Sequence, residues 1–311
     1  MSDGKGYEEY IFYRYTPTLA GAVIFVILFA CTTIYHGWQA FRQRFWFMIP
    51  IIIGGIFETI GYIGRALSHS DKEALGPYVI QTLLLLLGPA LFAASIYMIL
   101  GRIILLTDGE KFSIIRRTWL TKIFVGGDVL SFFTQSGGGG IMSGADEDNP
   151  NNMKIGEKVI IVGLCIQVIF FGFFLVTAFI FQKRGREHLR VLDGTVPWRK
   201  HLYVLYGTSV LILVRSVFRV AEYAQGNDGF LLRHEAFLYV FDAVLMFIVM
   251  LWLNIVHPGE IAKALKDKEK AGSLDGEYDL DGTSHNDGST YQPGGILETR
   301  TRSTGVEGCS C

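Results

Sequence analysis

The sequence has 311 residues, half of them apolar and only 18 % charged, and its mean hydropathy is positive; this composition argues against a water-soluble globular protein. A formal net charge of −1 leaves no basic field for nucleic acid and no acidic excess for a cationic partner. Cys31 and Cys165 fall inside apolar runs while Cys309 and Cys311 close a polar tail, so no disulfide framework is predicted.

The first residues, MSDGKGYEEY, are polar and acidic, unlike the basic-then-apolar pattern of a cleavable signal. Residues 1–17 are therefore expected to be a short extracellular segment, with the first span as the targeting signal. A helix that crosses a bilayer needs about 20 mostly apolar residues. Spans are predicted at Thr18–Tyr35, Phe45–Ile63, Tyr78–Leu100, Trp119–Met142, Val159–Phe181, Leu202–Glu222 and Ala236–Val256. After Pro258 the chain turns rich in Gly, Ser, Asp and Thr. Residues 258–311 are thus expected to be a largely disordered tail beyond a short helix near Lys263–Lys270. Cys309 and Cys311 at its end are candidates for palmitoylation, with no prenylation box.

Orientation follows from the basic residues of the short loops. One side carries Arg42 and Arg44, then Arg102, Lys111, Arg116 and Arg117, then Lys183, Arg184, Arg186, Arg190, Arg199 and Lys200. The other offers Lys72, Lys154, Lys158 and Arg233, beside an acidic run at Asp146–Asp148. The predicted fold is an all-α membrane protein, a seven-transmembrane helix bundle over 18–257 with its N-terminus outside and its tail cytoplasmic. The 183–200 cluster is accounted for by this topology; an anionic-lipid site is the second reading of the same residues.

Ionisable groups inside a span are costly and normally face a partner or a watery cavity. They fall here into stripes at three- and four-residue spacing, each on one helix face: Glu58, Tyr62 and Arg65; Arg215, Arg219 and Glu222; Glu235, Tyr239 and Asp242. Glu58 and Arg215 lie roughly 20 Å from the cytoplasmic helix ends at about 1.5 Å per residue, which puts the three stripes in the outer half of the membrane. One reading is a vestibule whose arginines hold an anionic headgroup and whose carboxylates hold an amine or exchange protons. The other is a structural ion-pair lock, Arg215 with Glu58 or Asp242. A further stripe, Asp128, Ser131 and Gln135, precedes a glycine run, Gly137, Gly138, Gly139 and Gly140. Asp128 is the candidate proton site, and the glycines are candidates for a hinge or close helix packing. Pro89, after Gly88, is expected to kink the third span or free a carbonyl.

These segments resemble the fungal lipid-translocating exporter family, the seven-span group named for resistance to aminocholesterol, over nearly all of residues 10–258. The resemblance is carried by ETIGYIGR (Glu58–Arg65), LLLGPALFAASIYMILGRII (Leu85–Ile104), DVLSFFTQSGGGG (Asp128–Gly140), RSVFRVAEYAQG (Arg215–Gly226) and HEAFLYVFDAVLM (His234–Met246). It implies an exporter of lipid-like amphiphiles such as sphingoid long-chain bases and sterol-like toxins, in some members haem, conferring resistance from the plasma membrane, with vacuolar or other endomembranes as alternatives. The family's polar motif positions fall on Glu58, Arg65, Asp128, Gln135, Arg215, Arg219, Glu222, Glu235 and Asp242. Phe218 stands where the family's motif has Tyr.

The expected partners are membrane lipids and amphiphilic small molecules, with no nucleic acid, no cofactor and no enzymatic activity. The alternative is a seven-transmembrane receptor or lipid sensor, although no Asp-Arg-Tyr box follows the third span and no Asn-Pro-x-x-Tyr lies in the seventh. The seventh span also holds no lysine for a retinal Schiff base. A zinc hydrolase is disfavoured because His201 and His234 sit near helix ends without a third ligand, and the sequence has no Walker loop and no HExxH.

Overall fold

A computed structural model describes residues 18–44, 46–70, 75–143, 151–194, 196–225 and 229–270. The predicted extracellular segment 1–17 and the tail beyond 270, with Cys309 and Cys311, lie outside the described residues. Among the described residues there is no strand.

The helices are α1 (Leu19–Gln43), α2 (Ile49–Leu67), α3 (Leu75–Leu106), α4 (Arg117–Ser143), α5 (Asn151–Arg184), the short α6 (Arg186–Val191), α7 (Trp198–Ala224), the single turns α8 (Phe230–Arg233) and α9 (Glu235–Leu238), and α10 (Leu245–Ile255). A π-helical segment, Tyr239–Val244, joins α9 to α10. Residues 259–270 are helical, as predicted near Lys263–Lys270.

Six of these stretches are long and apolar enough to cross a membrane: α1, α2, α3, α5, α7 and the run that begins at Glu235. The 27-residue α4 is long enough but less apolar, because Asp128, Ser131, Gln135 and the glycine run dilute it. Several helices outrun their predicted spans: α5 starts at Asn151 where hydropathy begins only at Val159. Hydropathy marks the part of a helix suited to lipid, whereas backbone hydrogen bonding carries the helix on into polar residues.

From α1 to α5 each helix packs on the next, α5 packs on α7, and α10 returns to α1 and α7, so the rods close into a ring in which α3 also touches α7. Side chains are distributed inside out relative to a soluble protein. Ile24, Ile27 and Phe41 of α1, Ile53, Ile56 and Ile60 of α2, and Ile169 and Phe179 of α5 are exposed, while Glu58, Arg65, Asp128, Arg215 and Glu222 are buried. Water would reverse that arrangement and hydrocarbon favours it. The chain is an integral membrane protein.

Because lipid tails are as apolar as leucine, helices in a membrane associate through close packing and polar contacts. An aromatic core supplies part of it: Tyr97 of α3 lies 4.6 Å from Phe174 of α5 between ring centres, with Phe124 of α4 against both. Glycine supplies another part along α4 and α5. A Cβ at Gly138 would stand 2.8 Å from the Gly156 carbonyl oxygen, and one at Gly163 would stand 2.6 Å from Gln135 Cγ. Gly137 and Gly139 face open space, so within the predicted packing run the close approach is made at Gly138. Gly138→Val is expected to destabilise the detergent-purified protein by about 1–3 kcal/mol through overpacking, and Gly137→Val to leave it nearly unchanged. Melting curves followed by size exclusion measure this, and equal losses would refute the assignment.

Candidate functional site

Three polar assemblies occupy the bundle interior, and the predicted stripes fall into them. The first centres on Arg215 of α7, which is 0 % exposed. Its Nε donates to Asp242 Oδ1 at 2.5 Å and its Nη2 to the carbonyl of Leu85 at 2.7 Å. Proline has no N–H and cannot bond the carbonyl four residues earlier. Pro89 inside α3 thus frees the Leu85 oxygen, and Arg215 takes it. Asp242 comes from the π-helical segment, so one guanidinium joins α3, α7 and the last rod.

Around this junction Arg219 Nη1 donates to Glu222 Oε2 at 2.6 Å on the same helix. Glu58 of α2 is 1 % exposed and lies within electrostatic reach of Asp242, Arg215 and Arg219. It is pressed against α3 where that helix has no side chain: a Cβ at Gly88 would be 2.6 Å from Glu58 Oε1. Among the described residues Glu58 Oε1, the Tyr62 hydroxyl and Arg215 Nη1 are buried with no hydrogen-bond partner. The assembly thus holds three carboxylates against two guanidinia, with an acceptor, a donor and a hydroxyl uncommitted.

The second assembly is a clasp where the start of α1, the end of α2 and the start of α9 meet. Arg65 Nη2 donates to Glu235 Oε1 at 2.7 Å, and its Nε donates to the Tyr239 hydroxyl at 3.2 Å. Glu235 also accepts from the backbone N–H of Thr18 at 2.8 Å and from the Thr18 hydroxyl. The Tyr239 ring packs over the last turns: Tyr62 lies 6.4 Å away and Phe25 stacks at 5.5 Å. Gly21 is required beneath it, since a Cβ there would stand 2.8 Å from Tyr239 Cζ.

The third assembly lies on α4. Tyr97 of α3 donates to Asp128 Oδ2 at 3.0 Å, and Asp128 Oδ1 is buried without a partner among the described residues. Ser131 Oγ donates to the Gly163 carbonyl at 2.7 Å. Gln135 Nε2 reaches Ser131 Oγ at 2.5 Å and Gln167 Oε1 at 3.5 Å. No hydrogen bond or ion pair among the described residues joins this assembly to the Arg215 junction.

All nine predicted site residues are therefore interior or at the clasp; the three charged stripes, expected to form one cluster, divide between the Arg215 junction and the clasp, and the Asp128 stripe stays apart. The predicted lock resolves to Arg215 with Asp242, while Glu58 stands beside the pair. Tyr97 and Thr18 escaped the sequence reading, whereas the carbonyl that Pro89 was expected to free is that of Leu85, taken by Arg215. Tyr97 sits in an apolar run that carries no such signal. Among the described residues no group of three or more His, Cys, Asp or Glu is arranged to hold a metal ion.

Removing Arg215 alone would leave Asp242 buried and unpaired. Arg215→Ala is expected to destabilise the protein by about 3–5 kcal/mol, and adding Asp242→Ala to restore part of that stability. Unfolding in detergent measures both; a double variant less stable than the single would contradict the pairing.

Residues 51–264 match the model of a protein family described as RTA1 like protein. The chain is 36 % identical over 284 residues to protoporphyrin uptake protein 1 of Saccharomyces cerevisiae, an alignment covering 79 % of this chain and 91 % of that one. It is 32 % identical over 263 residues to the probable lipid transporter atnI of Emericella nidulans, covering 80 % and 68 %. With the sphingoid long-chain base transporter RSB1 of Saccharomyces cerevisiae it shares 28 % identity over 277 residues, covering 78 % and 72 %. No solved structure matches it.

Proposed function

Because the chain belongs to the RTA1-like family, we propose that it exports lipid-like amphiphiles whose head carries an amine, sphingoid long-chain bases foremost, and thereby confers resistance to them. The observation that carries this reading is the charge imbalance at the Arg215 junction. Three buried carboxylates, Glu58, Glu222 and Asp242, face two guanidinia, and an uncompensated charge in a low-dielectric interior is costly. An ammonium head supplies the missing positive charge. Glu58, whose Oε1 has no other partner among the described residues, receives it. The apolar flanks of α2, α3 and α7 accommodate the tail.

Seven spans are the corresponding topology, with α4 the seventh. Its polar residues Asp128, Ser131 and Gln135 are buried while Val129, Leu130 and Phe133 are exposed, the distribution of a helix that turns its apolar face to lipid. The basic loops then lie in the cytoplasm and the clasp at Thr18, Arg65 and Glu235 on the outer side. In this arrangement 1–17 is extracellular, 258–311 is the cytoplasmic tail, and the plasma membrane is the site of export. Asp128, with one uncommitted carboxylate oxygen, exchanges protons with the outside and couples their entry to export.

Yeast cells expressing the chain should release labelled sphingoid base faster than control cells, and should fail to release its N-acylated, uncharged analogue. Glu58→Gln should slow release about tenfold or more at unchanged abundance, the scale set by losing a charge-assisted contact. Equal release of the acylated analogue would overturn amine recognition, and no release of either compound would overturn export. In the same cells Asp128→Asn should leave any residual release insensitive to a protonophore; sensitivity equal to wild type would remove Asp128 from coupling.

A further inference from the structure

The start of α7, at the other end of that helix from Arg219 and Glu222, meets α5 and α6 among the basic loops. A cleft of ≈ 550 Å³ opens there, lined by Arg186, Arg190, Arg199, Trp198, Tyr203 and Leu189, among others. Arg186 and Arg190 are exposed and one helical turn apart on α6, hence on one face, and neither forms an ion pair among the described residues. Asp193, which also lines the cleft, is neutralised by Arg199 at 3.0 Å. Its carboxylate therefore does not offset the charge of the other two arginines.

The base of the cleft supplies an independent observation. Trp198 is 7 % exposed and its indole N–H is buried with no hydrogen-bond partner among the described residues. A buried donor left unmatched is destabilising, and because Trp198 lines the cleft, an acceptor bound at its back would satisfy this N–H. Mobility would spoil such a site, but α6 is held on both sides. Leu189 is buried in the core, and His188 Nε2 lies 2.7 Å from the carbonyl of Thr107 at the end of α3.

We propose that this cleft binds the phosphate of an anionic phospholipid from the leaflet that borders the basic loops, with Arg186 and Arg190 as the guanidinium pair, the Trp198 N–H as a third donor, and the acyl chains running along the apolar outer face of α7. Guanidinium forks match phosphate oxygens two at a time. Basic pockets between membrane helices at the cytoplasmic side are suited to acidic headgroups. An aromatic ring with one polar edge sits well at the boundary between headgroups and hydrocarbon. Topology alone requires basic loops but neither a cleft nor an unmatched indole, which is why the second reading of the 183–200 cluster gains from the structure. The site does not depend on the exporter reading; only the identity of the leaflet rests on the orientation given above.

Binding is measured on the full-length protein in detergent, by the rise in melting temperature with dioctanoyl phosphatidic acid. Dioctanoyl phosphatidylcholine and inorganic phosphate at the same concentrations are the comparison arms. Phosphatidic acid should give a saturable rise, and the other two little. Arg186→Gln with Arg190→Gln should weaken binding by about tenfold or more, and Trp198→Phe, which keeps the ring and removes the donor, by roughly threefold to tenfold. Arg44→Gln with Arg116→Gln, an equal loss of charge outside the cleft, should bind as wild type. A full rise with inorganic phosphate alone would assign the site to free phosphate and overturn the lipid. An equal rise with phosphatidylcholine, or equal weakening by the Arg44 and Arg116 pair, would reduce the effect to general lipid or charge attraction. Should Trp198→Phe fail to fold, the two arginine pairs decide the matter. Sphingoid-base release plays no part in this measurement, so failure here leaves the export proposal standing, and the reverse holds too.

Discussion

A guanidinium enclosed in a membrane bundle must have its charge and its donors answered from within the protein, and the way Arg215 is answered organises the rest of the structure. Its two bonded partners come from different helices: the Asp242 carboxylate and the Leu85 carbonyl. The second is available only because Pro89 cannot close the α-helical bond to it. The adjacent Gly88 leaves space on the same face of α3 for Glu58. Two consecutive residues that weaken α3 as a helix thereby create both the acceptor for a cation and the berth for an anion. In lipid, where apolar contact scarcely distinguishes one helix register from another, such a junction specifies how α2, α3, α7 and the last rod are set against one another.

The polar interior is divided by position and by degree of satisfaction. The clasp is densely bonded, with Glu235 shared between Arg65 and Thr18 and Tyr239 between Arg65 and the Thr18 carbonyl. The junction beneath it is charged and only partly bonded, and the Asp128 assembly across α3 has an acidic group with a single donor. A transport protein needs that gradation. Fully paired groups hold shape, and partly paired ones have capacity left for a ligand or proton. The division fits the proposed role of the junction as the place where a charged head is received.

Much of this was legible in the residues. Helical spacing found the polar faces of α2, α7 and the last rod and kept Arg215 with Glu222, but Glu58 and Asp242 join the junction while Arg65 and Glu235 join the clasp; hydropathy found the apolar rods. Pairing was less accessible, because it depends on the rotation of each helix about its axis, which a stripe does not specify. The lock could have used Glu58 or Asp242, and the structure uses Asp242. Tyr97 remained hidden because a hydroxyl at the end of an aromatic ring scarcely alters an apolar run, although it is the donor to Asp128. The break of the last rod into α9, a π-helical segment and α10 was also invisible, since wider winding changes the backbone without altering the apolar pattern around Leu245–Ile255. The predicted span Trp119–Met142 falls on α4, which is less apolar than the other rods because it carries Asp128, Ser131, Gln135 and the glycine run.

The π-helical segment has a mechanical meaning of its own. It holds one residue more than α-helical winding would place in the same length, and a return to α-helical winding turns everything before it by about 100°. Glu235 lies before the segment, Tyr239 at its start and Asp242 within it. A single change of winding would swing the first two away from Arg65 and Thr18 while shifting the third against Arg215. The clasp and the junction are therefore linked like two latches on one spindle, through the winding of a single segment.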